Sequence, residues 1–309
     1  MIEGEIVKMK SSVDYDEEVQ IPAIPPPEIK RPRLHKWHVI AVVLVLVIVA
    51  QGVLHLNSSL EYNLLRLKHN SLTHEYDALE TQNVLFQSEY DQLRHRINQR
   101  SQHNNASNFI TPYNSSVEQI VTEITGGWSD PSNWDEFWED VKAMYNWVIN
   151  QIEYRYDGLF PTLPTELSGN TEYHDEMWQF PNETLSLGKG DCEDMAILLC
   201  SMILRFTEGE HWTECITLAN SNKGHMGVQI PVGENELTIL DPAGHYFTSD
   251  DTGNLVSKNV SVEINNWLEH WKSELGRDAY VSGVFANYLD ETFSSTSEYI
   301  LWMSTRRED

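Results

Sequence analysis

WQFPNETLSLGKGDCEDMAILLC, residues 178–200, is the stretch on which the reading of this chain turns. It passes from a loop rich in Pro, Gly and polar residues into a dense apolar run. From Met195 to Phe206 only Ser201 and Arg205 are polar. A helix that is apolar nearly all round is a buried helix. Gly188 and Gly190 permit a tight approach, and Asp191 is a good N-cap. Cys192 then falls in the first turn, where unpaired N–H groups and the positive end of the helix dipole favour a thiolate. A nucleophilic cysteine also needs a base, and a group to orient that base.

Both follow downstream. GHMGVQIPVGENELTILDP, residues 224–242, holds two short alternating runs around Gly233, Glu234 and Asn235, the pattern of a β-hairpin. His225 opens the first strand and Asp241 closes the second. Antiparallel strands on a short turn set these ends side by side. The expected arrangement is therefore Cys192 as nucleophile, His225 as base and Asp241 fixing the imidazole tautomer. His245, after the same Asp-Pro turn, is the rival base. Taken alone, Cys192 reads equally as a buried structural thiol, and His174 and His211 carry no functional signal.

Three signatures in order, GDCEDMA, GHMGVQI and ILDPAG, resemble those of the transglutaminase-like superfamily. The DCED run behind WQFPNETL is similar to that of prokaryotic transglutaminase-like cysteine proteases. The resemblance covers roughly residues 115–290 and implies an α+β, papain/transglutaminase-like cysteine-protease fold. Cys192, His225 and Asp241 match its catalytic positions one by one. It also implies an oxyanion donor upstream of the cysteine, for which Trp178 and Gln179 are the candidates beside the Cys192 backbone N–H. The family includes proteases, amidases, cross-linkers and members without activity.

Asp191, Glu193 and Asp194 oppose ionisation of the thiol between them. They also stabilise a helix start, which needs no ligand. A hard cation would resolve the conflict, and acidic oxygens on a Gly-rich loop suit Ca²⁺. In the similar bacterial proteases the carboxylates flanking the cysteine bind calcium, and Asp191 and Glu193 match those positions. The acyl-transfer chemistry itself requires no cofactor.

The N-terminal third is organised differently. Residues 1–36 read as a disordered tail with prolines at 22, 25, 26, 27 and 32. Residues 37–56 form an apolar segment whose centre, 39–50, has no polar residue. Its length suits a bilayer of roughly 30 Å. Lys30, Arg31, Arg33 and Lys36 precede it closely, so the positive-inside rule places the N-terminus in the cytoplasm and the catalytic domain outside the cell membrane. An uncleaved signal anchor is expected. Five N-x-S/T sequons, at Asn57, Asn105, Asn114, Asn182 and Asn259, all lie beyond it.

Residues 57–100 carry a heptad pattern. Leu65, Leu72, Leu79, Phe86 and Leu93 form one seam column; Tyr62, His69, Tyr76, Asn83, Tyr90 and Ile97 form the other. This predicts a coiled-coil stalk and a homodimer or other homo-oligomer, with Asn83 fixing register. A single helix lying on the domain is the alternative. Residues 101–112 read as a linker and 113–309 as the catalytic domain. Within it, helices are expected over 116–124, 133–154 and 262–275, the last at the surface with Trp267 and Trp271 on one side. Residues 280–288 and 297–303 read as strands or a closing segment.

Net charge is −26. Nearly all of the excess lies beyond residue 56, where fifteen Lys/Arg face forty Asp/Glu. Such a balance excludes a nucleic-acid partner, since phosphate binding needs a basic face. Three cysteines make no disulfide framework; Cys200 and Cys215 read as core residues, and a bridge between them is the less favoured alternative, open only in an oxidising compartment. The sequence thus points to a membrane-anchored, extracytoplasmic cysteine hydrolase acting on proteins or peptides. A protein cross-linking transglutaminase and a non-catalytic scaffold on the same fold are the alternatives. A receptor built around the stalk and the Pro-rich tail is a further one.

Overall fold

The computed structural model describes residues 36–102, 105–128, 133–233 and 235–306. The tail expected over residues 1–36 lies outside them apart from Lys36, and so does Glu234 of the hairpin turn. The chain divides into two compact units, residues 1–80 and 81–309.

The described residues of the first unit, 36–80, are helix. Helix α1 spans Lys36–Gln102 and so continues into the second unit. It is the one described helix long and apolar enough to cross a membrane, and none of its most apolar window is buried in protein. The seam residues Leu65, Leu72 and Leu79 are each more than 60 % exposed.

In the second unit, α2 (Ser115–Thr125) starts where the Asn114 side chain accepts the Ser116 N–H at 3.0 Å. Helix α3 (Trp134–Gln151) buries Phe137, Val141, Met144 and Val148, the face that the 3–4 spacing predicts. Two short parallel strands, β1 (Glu153–Tyr154) and β4 (Lys189–Gly190), bracket the segment that carries the hairpin β2 (Phe160–Thr162) and β3 (Glu172–His174), then α4 (Pro181–Leu187). Helix α5 (Cys192–Phe206) follows; its residues 195–204 are all at most 2 % exposed, as an all-round apolar run requires.

The main sheet is antiparallel, in the order β11-β10-β5-β6-β7-β8. Its members are β5 (Glu214–Ala219), β6 (Gly224–Val232), β7 (Glu236–Asp241), β8 (Tyr246–Phe247), β10 (Tyr280–Ala286) and β11 (Leu289–Thr292); β9 (Lys258–Asn259) extends β7. Strand alternation divides the apolar side chains between two cores. Cys215, Met226, Val228, Ile230 and Leu240 pack with α2, α3 and α5. Ile216, Leu218, Leu237, Ile239, Val281 and Val284 pack with α6 (Val260–Leu275) and α7 (Thr296–Thr305). The result is an α+β fold with helices on both faces of the sheet.

Helix α6 lies at the surface as expected, burying Ile264 and Trp267 on its inner side while Asn265, Asn266, Glu269 and His270 are exposed. Two expectations need correction. Residues 297–303 close the domain as helix and not as strand: Ser295 caps α7 by accepting the Glu298 N–H at 3.2 Å, and Tyr299 and Met303, four apart, bury one helical face. The segment 101–112, read as a polar linker, places Ala106, Phe109 and Ile110 in the core beside α5. Cys200 and Cys215 stand next to each other as free, fully buried thiols.

Candidate active site

The site forms where the N-terminus of α5 meets the open end of the β6–β7 hairpin. Pairing of β1 with β4 sets the approach, with the Arg155 N–H donating to the Gly190 carbonyl at 2.9 Å. Position 190 must be glycine: an added Cβ would lie 2.5 Å from the Asp194 Cβ and 2.7 Å from its carboxylate. Asp191 then caps α5 by position but makes no side-chain cap bond. Cys192 follows in the first turn, as the sequence predicts.

His225 and Asp241 are brought together. His225 Nε2 lies 2.8 Å from Asp241 Oδ2, leaving Nδ1 for other work. The same Oδ2 accepts the indole N–H of Trp267 and of Trp271, each at 2.8 Å, while Oδ1 accepts the Gly244 N–H at 2.8 Å. Gly244 is required by this crowding, since a Cβ there would lie 2.6 Å from the Trp271 ring. The Trp271 ring also covers the His225 imidazole, with centroids 3.7 Å apart. Full burial by itself would raise the Asp241 pKa, but the His225 charge, its hydrogen bond and the donors from Trp267 and Gly244 outweigh burial and hold it below the usual carboxylate range. The rival His245 is exposed at the turn, with φ +50°, away from this pair.

Cys192, His225, Trp178 and Trp271 line one cleft of about 870 Å³. Burial pushes the Cys192 thiol well above its ordinary range; the Glu193 charge, the Glu193 hydrogen bond and Asp191 push the same way, while the Met226 backbone N–H favours the thiolate. The thiol donates to Glu193 Oε2 at 3.1 Å. Without compensation, this cysteine is held as a thiol.

The compensation has a candidate. One carboxylate oxygen each from Asp157, Asp191 and Glu193 lie within 4.8 Å of one another. Asp191 Oδ1 and Glu193 Oε1 are buried and accept no hydrogen bond. Burial and the Asp191 charge push Asp157 up to about 7, against its hydrogen bond from the Met177 N–H. Burial and the Asp191 charge also drive Glu193 well above the carboxylate range. Three carboxylates crowded in this way, two of them with a buried oxygen that has no donor, are a donor set that suits a hard divalent cation. Asp194 stands apart from this group. Its carboxylate accepts the Gln179 N–H at 2.7 Å and the Gln179 Nε2 at 2.6 Å. Burial is the main cause that pushes Asp194 up to about 8. Gln179 is thereby committed to Asp194, while Trp178 forms part of the cleft wall, stacked on Phe285 at 5.4 Å.

Three contributors escape a reading of the sequence. Trp267 and Trp271 stand out as a helical pair, but nothing local reveals that both reach Asp241. Asp157 sits in a loop with no periodic signal.

A family profile described as Transglutaminase-like domain matches residues 133–266, which contain Cys192, His225 and Asp241. Residues 133–266 are thus similar to a transglutaminase-like domain. Among solved structures, LapG of Legionella pneumophila is similar at 19 % identity over 60 % of this chain and 97 % of that one, with a TM-score of 0.30. Its calcium-bound form is similar at 17 % identity over the same shares, with a TM-score of 0.29. Its EGTA-treated form is similar at 17 % identity, again over 60 % and 97 %, with a TM-score of 0.28. No curated protein matches the chain.

Proposed function

We propose that this transglutaminase-like domain is a cysteine hydrolase that cleaves amide bonds in proteins or peptides. The observation that carries the reading is the His225–Asp241 pair, fixed by two indole donors, with His225 lining the same cleft as Cys192. His225 takes the thiol proton and the Cys192 sulfur attacks the carbonyl carbon. The oxyanion forms against the Cys192 backbone N–H, an unpaired donor of the α5 first turn. The imidazolium then protonates the leaving amine, the C–N bond breaks and a thioester remains. Water, deprotonated by His225, attacks the thioester and releases the acid and the thiol. Asp241 stays ionised throughout and stabilises the imidazolium.

Asp157, Asp191 and Glu193 are the residues that would hold calcium. When bound, it cancels the negative charge that otherwise keeps Cys192 protonated. The apolar segment at 37–56 is proposed to anchor the chain in a membrane with the N-terminus cytoplasmic and the catalytic domain outside. The heptad seam is proposed to join copies of the chain.

The test is cleavage of a proteome-derived peptide library by the full-length protein in detergent with calcium present. New peptide termini that disappear in Cys192→Ala support a hydrolase. Amine incorporation without cleavage would replace it with a cross-linker, and neither activity would leave a binding role.

A further inference from the structure

The last turns of α1 reach into the architecture of the site. Asn98 bridges Leu163 on both sides: its Oδ1 accepts the Leu163 N–H at 2.7 Å and its Nδ2 donates to the Leu163 carbonyl at 2.8 Å. The Tyr90 hydroxyl donates to the Pro164 carbonyl at 2.7 Å. The Arg100 carbonyl accepts the Trp178 N–H at 3.0 Å. The Arg100 guanidinium also pairs with Glu183 at 2.6 Å, whose other oxygen accepts the Phe180 N–H at 3.0 Å. All of these residues belong to the second compact unit.

What they hold is the β2–β3 hairpin, at Leu163 and Pro164 beyond β2, and its outgoing stem at Trp178. This hairpin is a sheet of its own, unpaired with the main sheet. A lone two-stranded hairpin is marginal in water and needs packing to persist. Its incoming stem carries Asp157, and its outgoing stem carries Trp178 on the cleft wall. The Met177 N–H, donated to Asp157, ties the two stems together beside Asp191 and Glu193.

We infer that Tyr90, Asn98 and the Arg100 carbonyl are positioning groups, through which α1 sets the Asp157 stem and the Trp178 cleft wall against Cys192. The cation part of this inference rests on the proposed function; the holding of the hairpin does not. The helix that begins in the apolar span therefore ends as a support of the site. Its 3.6-residue period sets Tyr90 and Asn98, eight apart, about 80° from one another around the axis, on the same side of the helix.

The test compares full-length wild type in detergent with Asn98→Ala, Tyr90→Phe and, as control, Arg205→Ala, whose partner Glu118 lies on α2. Hydrogen exchange is read by peptide, calcium affinity by titration with calcium alone, and Cys192 exposure by alkylation rate. Losing two hydrogen bonds of ordinary strength predicts about tenfold faster exchange across residues 157–178 in Asn98→Ala, and losing one predicts roughly threefold in Tyr90→Phe. Exchange in α5 stays unchanged, calcium Kd rises by a similar factor, and Arg205→Ala leaves all three readouts alone. Unchanged exchange over 157–178, or an equal rise in α5 and β6, overturns the inference. If wild type binds no calcium, the cation reading falls, and the exchange data still decide whether α1 holds the hairpin. Tyr90→Phe removes a single oxygen, so it keeps the test decisive if Asn98→Ala fails to fold.

Discussion

His225 Nε2 and Asp241 Oδ2 lie 2.8 Å apart, and that single carboxylate oxygen also takes both indole N–H groups of α6. Three donors on one oxygen leave the carboxylate little freedom. The imidazole is thus held between a fixed anion and the face of Trp271. Replacing Trp271 by Phe keeps the ring face and removes one donor to a charged acceptor, a loss of about 1.5–3 kcal/mol. Activity on any cleaved substrate should fall roughly 10- to 100-fold in kcat. KM should change far less than kcat, because the aromatic face that lines the cleft is kept. An unchanged kcat would show that the indole does not orient the triad.

Asp241 also predicts a pH dependence of stability. Its folded-state pKa is depressed from the unfolded value of 3.8, with the His225 charge the largest cause acting against burial. The stability it contributes is therefore fully present above that unfolded value and is lost as pH falls through the lower folded-state value. Wild type should melt above Asp241→Asn at neutral pH, and the gap should close below about pH 4. A gap that stays constant from pH 7 to pH 3 contradicts an ionised, paired Asp241.

Gly190→Ala tests the approach to the nucleophile. The new Cβ collides with the Asp194 Cβ at 2.5 Å, and Asp194 is held from the other side by Gln179. Overpacking of this kind costs about 1–3 kcal/mol. Thermal or urea unfolding should show that loss, and Cys192 should label at an altered rate. A variant as stable as wild type would mean that the Asp194 carboxylate is free to move.

The seam on α1 predicts self-association. Leu72 and Leu79 expose most of their surface in the single chain. Cross-linking in detergent should trap a dimer or higher oligomer of wild type, and Leu72→Glu with Leu79→Glu should abolish it. A monomeric wild type sinks the stalk reading.

The legible parts are those with a local cause. Helix α5 announces itself by apolar residues on every side, and the β6–β7 hairpin by alternation around a Gly-rich turn. Cys192, His225 and Asp241 can therefore be placed from the order of residues alone. Residues 297–303 read as a strand or a closing segment because TSEYILWMST has β-prone residues, and the Ser295 cap only gains meaning once Tyr299 and Met303 find a face of the sheet. The roles of Trp267, Trp271 and Asp157 depend on contacts between elements distant in sequence. Asn98 belongs to neither heptad column, so no pattern points to its bond with Leu163. The acidic run around Cys192 is legible as a conflict. Its division, with Glu193 and Asp191 beside Asp157 and Asp194 turned to Gln179, is not.

His225 and a bound cation are proposed to activate Cys192. The most direct measurement is its alkylation rate by iodoacetamide in the full-length protein, resolved from Cys200 and Cys215 by peptide mass spectrometry. Wild type and His225→Ala are compared with calcium and with chelator. The account predicts fast labelling of Cys192 in calcium, at least tenfold slower labelling in chelator as the carboxylates regain control of the thiol, and slow labelling in His225→Ala under both conditions. Cys192 labelling at one slow rate throughout, like the buried Cys200 and Cys215, would contradict it.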